Sequence, residues 1–144
     1  MSEERADRRM IGALLRGPAQ AIVARLDRDL RAAGYTDLRP AHFVVFQHLK
    51  PTGSHLTDLA EQAQITKQSM SYLVDYLEAH GYVERVTDPE DGRARIIRLT
   101  KRGRDLEGEA RAIIGRIEAE WANRLGADRF EQLREALKEL NDRP

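Results

Sequence analysis

The sequence predicts a mainly α-helical protein with one small β-hairpin after its fourth helix. Apolar residues recur with helical spacing through most of the 144 residues, and charged residues, 33% of the chain, fall between them. Beyond Gly81 the pattern changes, because residues 82–87 and 93–99 alternate as two short strands around the polar turn DPEDG at 88–92. A helix, a glycine stop and a hairpin with arginines beyond its turn outline a winged helix-turn-helix, which places one helix in the DNA major groove and the hairpin beside it.

The elements before this unit are predicted from local signals. An apolar stripe over residues 10–33 indicates a first helix, which Gly34 ends. Pro18 is expected to kink or interrupt that helix, because proline lacks an amide donor. Pro40 suits the first position of a second helix, and Thr57 is the predicted N-cap of a third.

The fourth helix, with Thr66 as its predicted N-cap, has two different faces. Steps of about 100° per residue place four apolar side chains on one side: Met70, Leu73, Val74 and Leu77. The other side carries Asp75 and Tyr76 beside the hydrogen-bonding residues Thr66, Lys67, Gln68, Ser69, Ser71 and Tyr72. Such side chains suit base edges and phosphates, so these six are the predicted DNA contacts of the helix. The alternative is a merely solvated face.

The C-terminal third predicts two more helices, a long one capped by Thr100 and a last one after Gly126. Their apolar stripes, and that of the first helix, exceed what a small winged unit can cover. The terminal helices are therefore expected to pack against a second copy of the chain. We divide the single structural domain into an N-terminal dimerisation helix (1–38), a winged helix-turn-helix region (39–100) and C-terminal dimerisation helices (101–144).

Composition narrows the classes of function. Without cysteine the chain has no disulfide, zinc finger or thiol nucleophile, and its four histidines show no metal spacing. There is no phosphate loop, nucleophile elbow or recognisable acid-base pair, so we expect neither an enzyme, a metal nor a cofactor. No apolar run approaches ~18 residues and no signal peptide is evident, so no membrane partner is expected and the cytoplasm is the expected compartment. Lys plus Arg equals Asp plus Glu at 24 each, so DNA binding would depend on local placement of arginines.

Motif pieces recur in a fixed order from residue 66 to residue 104. They are Thr66-Lys67-Gln68, Leu73-Val74-Asp75, Leu77-Glu78, Gly81-Tyr82-Val83-Glu84-Arg85, Asp88-Pro89, Asp91-Gly92-Arg93, Leu99-Thr100 and Gly103-Arg104. In these pieces, and in the helix pattern on either side, the sequence resembles the MarR family of bacterial transcription regulators. The resemblance implies a homodimer with intertwined terminal helices, whose two winged helices bind the half-sites of a palindromic operator on double-stranded DNA.

The resemblance also implies roles for individual residues. The helix from Thr66 would enter the major groove, and Arg93 would reach the minor groove from the wing tip, with the Asp91 carboxylate bracing its guanidinium. Arg95 would contact phosphate. The alternative for Arg93 is a soluble turn residue paired with Asp91.

Family members commonly act as repressors that small aromatic acids or phenols release, by binding in a cleft between the dimer region and the DNA-binding unit. Arg16, His42 and His48 are the candidate effector contacts here. For the two histidines a hydrogen-bonded structural role is the favoured alternative, and for Arg16 a surface role. The competing function for the whole chain is a winged helix that contacts protein without binding DNA.

Overall fold

The computed structural model describes residues 9–142 and contains six helices and one two-stranded antiparallel sheet over that range. In chain order the elements are α1 (Ile11–Ala32), α2 (Pro40–His48), α3 (Leu56–Ala63), α4 (Lys67–Ala79), β1 (Val83–Thr87), β2 (Arg95–Leu99), α5 (Lys101–Leu125) and α6 (Ala127–Asn141). None of these helices combines the length and the apolar character needed to span a bilayer. The predicted fold class, mainly α with a small β-hairpin wing, is confirmed.

The hairpin, which we call the wing, is anchored to the chain ahead of α3. In its register Val83 lies opposite Leu99 and Thr87 opposite Arg95. Ser54 adds an isolated bridge to β2: its N–H donates to the Ile97 carbonyl at 2.9 Å, and the Ile97 N–H donates back at 2.8 Å. Two strands this short are marginal alone, so the bridge gives the wing part of its support.

Local signals located most helix ends. Thr66 and Thr100 cap α4 and α5, and Pro40 opens α2, all as predicted. Helix α4 ends at Ala79. Just beyond it, Gly81 has a φ of +80° that suits glycine, and the Tyr82 N–H donates to the Leu77 carbonyl at 2.9 Å. This end turns the chain directly into β1.

Two local predictions need correction. Of the predicted kink or interruption at Pro18, the interruption is wrong: α1 runs from Ile11 to Ala32, because the loss of one amide donor leaves the turns on either side intact. Thr57 is not the N-cap of α3, since that position belongs to His55 and Thr57 lies within the first turn. The His55 side chain makes no capping hydrogen bond, so no capping residue marks the true start of α3 in the sequence.

One continuous hydrophobic core joins the winged unit to α1 and α5. Met70, Val74 and Leu77 of α4 are fully buried, as predicted, and Leu73 packs against them half-buried. Tyr76, predicted on the polar side, is half-buried instead, because its ring stacks on neighbouring histidines. Beyond the winged unit the core includes Leu26, Leu30, Leu106, Ile113 and Ile117.

Helix α5 runs antiparallel to α1 and also packs against α6 and β2. Arg25 of α1 forms a bidentate ion pair with Glu120 of α5, at 2.9 and 2.8 Å. Near the other end of α5, Arg102 in its first turn pairs with Asp37, which lies beyond the end of α1. The pair lowers the pKa of Glu120, chiefly through the hydrogen bond from Arg25. Helix α6 packs back on α5 and buries Phe130.

Candidate nucleic-acid interface

The first turn of α4 presents polar side chains on a fixed backbone. The Thr66 hydroxyl oxygen accepts the Ser69 N–H at 3.0 Å and donates to the Ser69 hydroxyl at 2.9 Å, so these two residues hold the turn together. Lys67 and Gln68 between them are exposed, as is Tyr72 one turn on, at 75%. An exposed tyrosine offers a partner both an apolar ring and a hydrogen-bonding hydroxyl.

The six predicted contact residues of α4 do not all face one way. Gln68, Ser69 and Tyr72 border a shallow groove of about 670 Å³ against the start of α2, whereas Ser71 is half-buried on another side. Gln68 and Tyr72 form the exposed centre of the helix face, and Ser69 partly serves the cap. The outward surface is therefore narrower than the sequence pattern predicted.

Arg85 of β1 clamps the wing against α4. Its guanidinium donates to Asp75 at 2.7 Å and to Glu78 at 2.8 Å, and its side chain is only 19% exposed. The single positive charge of Arg85 offsets one of the two negative charges on this side of α4. Sequence analysis missed this role, although acids three apart on a helix, followed by an arginine on the next strand, are a usable signal.

The turn of the wing, residues 88–94, is built on two aspartates. The Asp88 N–H donates to the Ala94 carbonyl at 2.9 Å, and its carboxylate accepts the Glu90 N–H at 2.9 Å. Asp91 accepts the backbone N–H of Arg93 at 3.0 Å. The expected brace is therefore corrected: Asp91 holds the Arg93 backbone and not its guanidinium, because a short aspartate side chain reaches the amide two residues on.

Two arginines of the wing are left available. Arg93 in the turn and Arg95 at the start of β2 are exposed, and within residues 9–142 neither guanidinium has a hydrogen-bond or ion-pair partner. Of the acids on the wing and α4, Glu84 pairs with Arg98 at 2.7 Å and Asp75 with Arg85, whereas Glu90 and Asp91 in the turn itself form no ion pair among the described residues. The chain has no net charge, yet this edge of the molecule offers unpaired cations.

The three candidate effector residues are not brought together. His42 is 5% exposed, its Nδ1 accepts the Arg39 N–H at 2.9 Å, and its ring stacks on Tyr76 at 4.3 Å. Burial lowers the pKa of His42, so the ring is held neutral, as the structural alternative requires. His48 lies half-buried at the end of α2, and Arg16 is exposed beside a separate shallow groove on α1.

A larger groove lies elsewhere, between the end of α2, the wing and the start of α5. Its volume is about 870 Å³. Apolar side chains from Phe46, Leu49 and Leu99 line it, together with the cationic side chains Arg98, Lys101, Arg104 and Arg111. Glu84 and Glu107 pair with two of these arginines. An apolar surface beside cations suits an amphipathic anion, and sequence analysis missed it because the cations come from separate elements.

The junction between α4 and α5 holds a polar cluster that we call the Arg102 cluster: Asp37, His80, Tyr82 and Arg102. The Tyr82 hydroxyl donates to Asp37, and Arg102 donates to that hydroxyl at 2.9 Å, to Asp37 at 3.2 Å and to the His80 carbonyl at 3.2 Å. Burial, then the bond to Asp37, raises the pKa of Tyr82 to about 12. Burial alone would raise the pKa of Asp37, but Tyr82 and Arg102 outweigh it and the pKa is lowered. The cluster thus favours a neutral tyrosine beside a charged carboxylate.

This arrangement predicts a stability change in alkaline solution. Because the pKa of Tyr82 in the folded protein lies above its ordinary value of about 10, its hydroxyl stabilises the fold fully below about pH 10 and loses that effect towards pH 12. Tyr82→Phe should cost about 1 to 2 kcal/mol at about pH 8, and less at about pH 11. Urea unfolding at both pH values measures this. Tyr72→Phe, at an exposed ring, should leave the free energy of unfolding unchanged at both pH values. If Tyr82→Phe lowered that free energy equally at both pH values, the assignment would be contradicted.

Helices α2 to α4 and the wing form a winged helix-turn-helix, framed by α1, α5 and α6, and the chain therefore has the fold of a class of DNA-binding regulators. A MarR family model matches residues 36–94, from the α1–α2 connection through the turn of the wing. Over this stretch the chain is similar to the MarR family of regulators.

Solved structures similar to this chain extend over nearly all of it. CouR from Rhodococcus jostii RHA1, bound to p-coumaroyl-CoA, is 25% identical with a TM-score of 0.72, over 90% of each chain. CouR bound to a 23-mer DNA duplex is 26% identical with a TM-score of 0.71, over 92% of this chain and 93% of that one. The reduced form of MarR from E. coli, at 21% identity and a TM-score of 0.73 over 93% and 98%, is similar in fold.

Proposed function

We propose that the chain is a sequence-specific DNA-binding transcription regulator, a repressor that binds a palindromic operator as a homodimer. The observation that carries this is the pair of unpaired wing arginines, Arg93 and Arg95, beside the exposed polar face of α4. Side chains of α4 would contact base edges in the major groove, while the wing arginines would approach the minor groove and the phosphates. The DNA-bound CouR chain, similar over most of its length, supports the same use of the fold.

Dimerisation is supported by apolar side chains that the single chain leaves in solvent. At the start of α1 these include its N-cap residue Met10 at 84% and Ile11 at 71% exposure, and in α6 Leu140 at 77%. Apolar residues on the first and last helices would be buried away from water together if the terminal helices of two chains packed on each other. A twofold dimer would then present two copies of α4, as a palindromic operator requires.

A small aromatic or phenolic effector with an anionic group is the proposed release signal. The groove between α2, the wing and α5 offers apolar contacts from Phe46 and Leu99 and cations from Lys101 and Arg104. The CouR structure with p-coumaroyl-CoA supports a small-molecule ligand of that chemistry in this fold. Occupying a groove that the wing itself borders would change how the wing sits relative to α5, and so would weaken DNA binding.

Operator selection from random DNA, followed by anisotropy titration at several salt concentrations, tests the proposal. A regulator of this kind should select a palindrome and bind it at least about 10³-fold more tightly than unrelated DNA. Its affinity should fall steeply as salt rises, because binding releases counterions from phosphates. Sedimentation at micromolar concentration should give a dimer. Absence of sequence preference with a flat salt response would instead favour a protein-contact module.

A further inference from the structure

His55 occupies the N-cap position of α3 but does not cap it. That position normally carries Ser, Thr, Asp or Asn, whose oxygen accepts a backbone N–H of the first turn. The His55 ring is directed elsewhere, because its Nε2 lies 3.0 Å from an Asp88 carboxylate oxygen. The Asp88 side chain is 14% exposed and that of His55 42%, so the contact is partly shielded from water. A histidine at this position therefore links the start of α3 to the wing.

Asp88 is the residue through which this link acts on the wing. One carboxylate oxygen receives His55, while the other accepts the Glu90 N–H and the Asp88 N–H closes the turn onto the Ala94 carbonyl. The preceding residue, Ser54, bridges β2 through two backbone hydrogen bonds to Ile97. Two consecutive residues ahead of α3 thus fasten the end of β1 and the middle of β2.

Resting on the proposed function, we propose that His55 is a positioning residue for DNA binding: through Asp88 it fixes the base of the wing, and so the place at which Arg93 meets the DNA. The turn beyond Asp88 is exposed and draws little support from packing. Without the His55 contact the turn would sample more orientations, and binding DNA would require it to be ordered at a cost in affinity. In this role His55 acts on the DNA only through Asp88 and the wing.

A double-mutant cycle with Arg93 separates this role from a general effect on stability. In the full-length dimer, His55→Ala should weaken operator binding by about threefold to tenfold, the cost of ordering on DNA a turn that the contact with Asp88 no longer holds. In an Arg93→Ala background the same change should cost less than about twofold, because the residue being positioned is absent. His55→Gln, which keeps an N–H donor, should retain most of the wild-type affinity. Thr57→Ala, two residues on and exposed, is the matched control and should change nothing.

Amide hydrogen exchange in the free protein provides a readout that needs no operator. Exchange of the Glu90 and Ala94 amides, both hydrogen-bonded in the turn, should be faster in His55→Ala than in wild type, and restored in His55→Gln. Unchanged exchange, or an equal loss of affinity with and without Arg93, would overturn the positioning role. Failure of the wild-type protein to bind any selected operator would overturn the proposed function instead, while the exchange result would still decide the contact between His55 and the wing.

Discussion

Gly103→Ala is expected to lower the free energy of unfolding by about 2 to 3 kcal/mol, although it adds one methyl group to a helix. A Cβ at residue 103 would lie 2.1 Å from the Tyr82 carbonyl oxygen and 3.0 Å from the Leu99 side chain. The carbonyl cannot turn away, because it accepts the Thr100 N–H at 3.1 Å. The first turn of α5 would have to move off the wing, at the expense of buried contacts.

The measurement is urea unfolding with linear extrapolation, and the same helix offers a control. A Cβ at Gly108 would meet nothing within 4 Å. Gly108→Ala should therefore be neutral or stabilising by up to about 1 kcal/mol, since alanine is the better helix former. If both variants lost stability equally, close approach to Tyr82 would not be the reason for glycine at 103.

Arg93→Ala should weaken operator binding by about 1 to 3 kcal/mol, roughly fivefold to 150-fold, and leave the dimer intact. The guanidinium is exposed and unpaired within residues 9–142, so nothing in the folded chain depends on it. Asp91 already holds the Arg93 backbone, so the turn should keep its shape after truncation. The loss therefore belongs to the contact with DNA. Fluorescence anisotropy with a selected operator measures it.

Two variants of the same turn sharpen the Arg93 result. Arg93→Lys keeps the charge but loses the planar fork, so it should recover part of the affinity if Arg93 contacts only phosphate, and little if it reads the minor groove. Glu90→Gln changes an exposed acid three residues away, and should leave binding equal or slightly tighter. Unchanged affinity for Arg93→Ala would remove the residue from the DNA contacts.

The helix ends that the sequence located depend on short-range chemistry. Thr66 accepts the N–H three residues on, and Pro40 supplies the φ of a first turn, so each signal lies within a few residues of its effect. The start of α3 was predicted wrongly because its N-cap residue has no partner nearby in the sequence. His55 makes no capping bond and instead contacts Asp88 in the wing. A residue whose partner lies in another element looks unremarkable in its own segment.

Some features of the candidate site could likewise be predicted from local sequence, and others could not. The polar face of α4 and the exposed wing arginines could be predicted, because helical periodicity and a hairpin turn determine which side chains face outwards. The clamp of Arg85 on α4 and the groove beside α5 could not, since each requires residues that are brought together only by packing. His42 is a partial exception. Its bond to the Arg39 N–H spans three residues, a capping pattern that sequence alone could have suggested.

The pairing of α1 with α5 also governs the order in which the chain can fold. Arg25 and Glu120 are 95 residues apart, whereas α2, α3, α4 and the wing contact one another within a span of about 60 residues. At a synthesis rate of roughly 5 to 20 residues per second, α1 leaves the ribosome about 5 to 20 seconds before its partner helix is complete. The winged unit can close during that interval, while the apolar stripe of α1 stays uncovered. Helix α1 is therefore made well before the helix that it pairs with, and its apolar stripe is covered only late in synthesis.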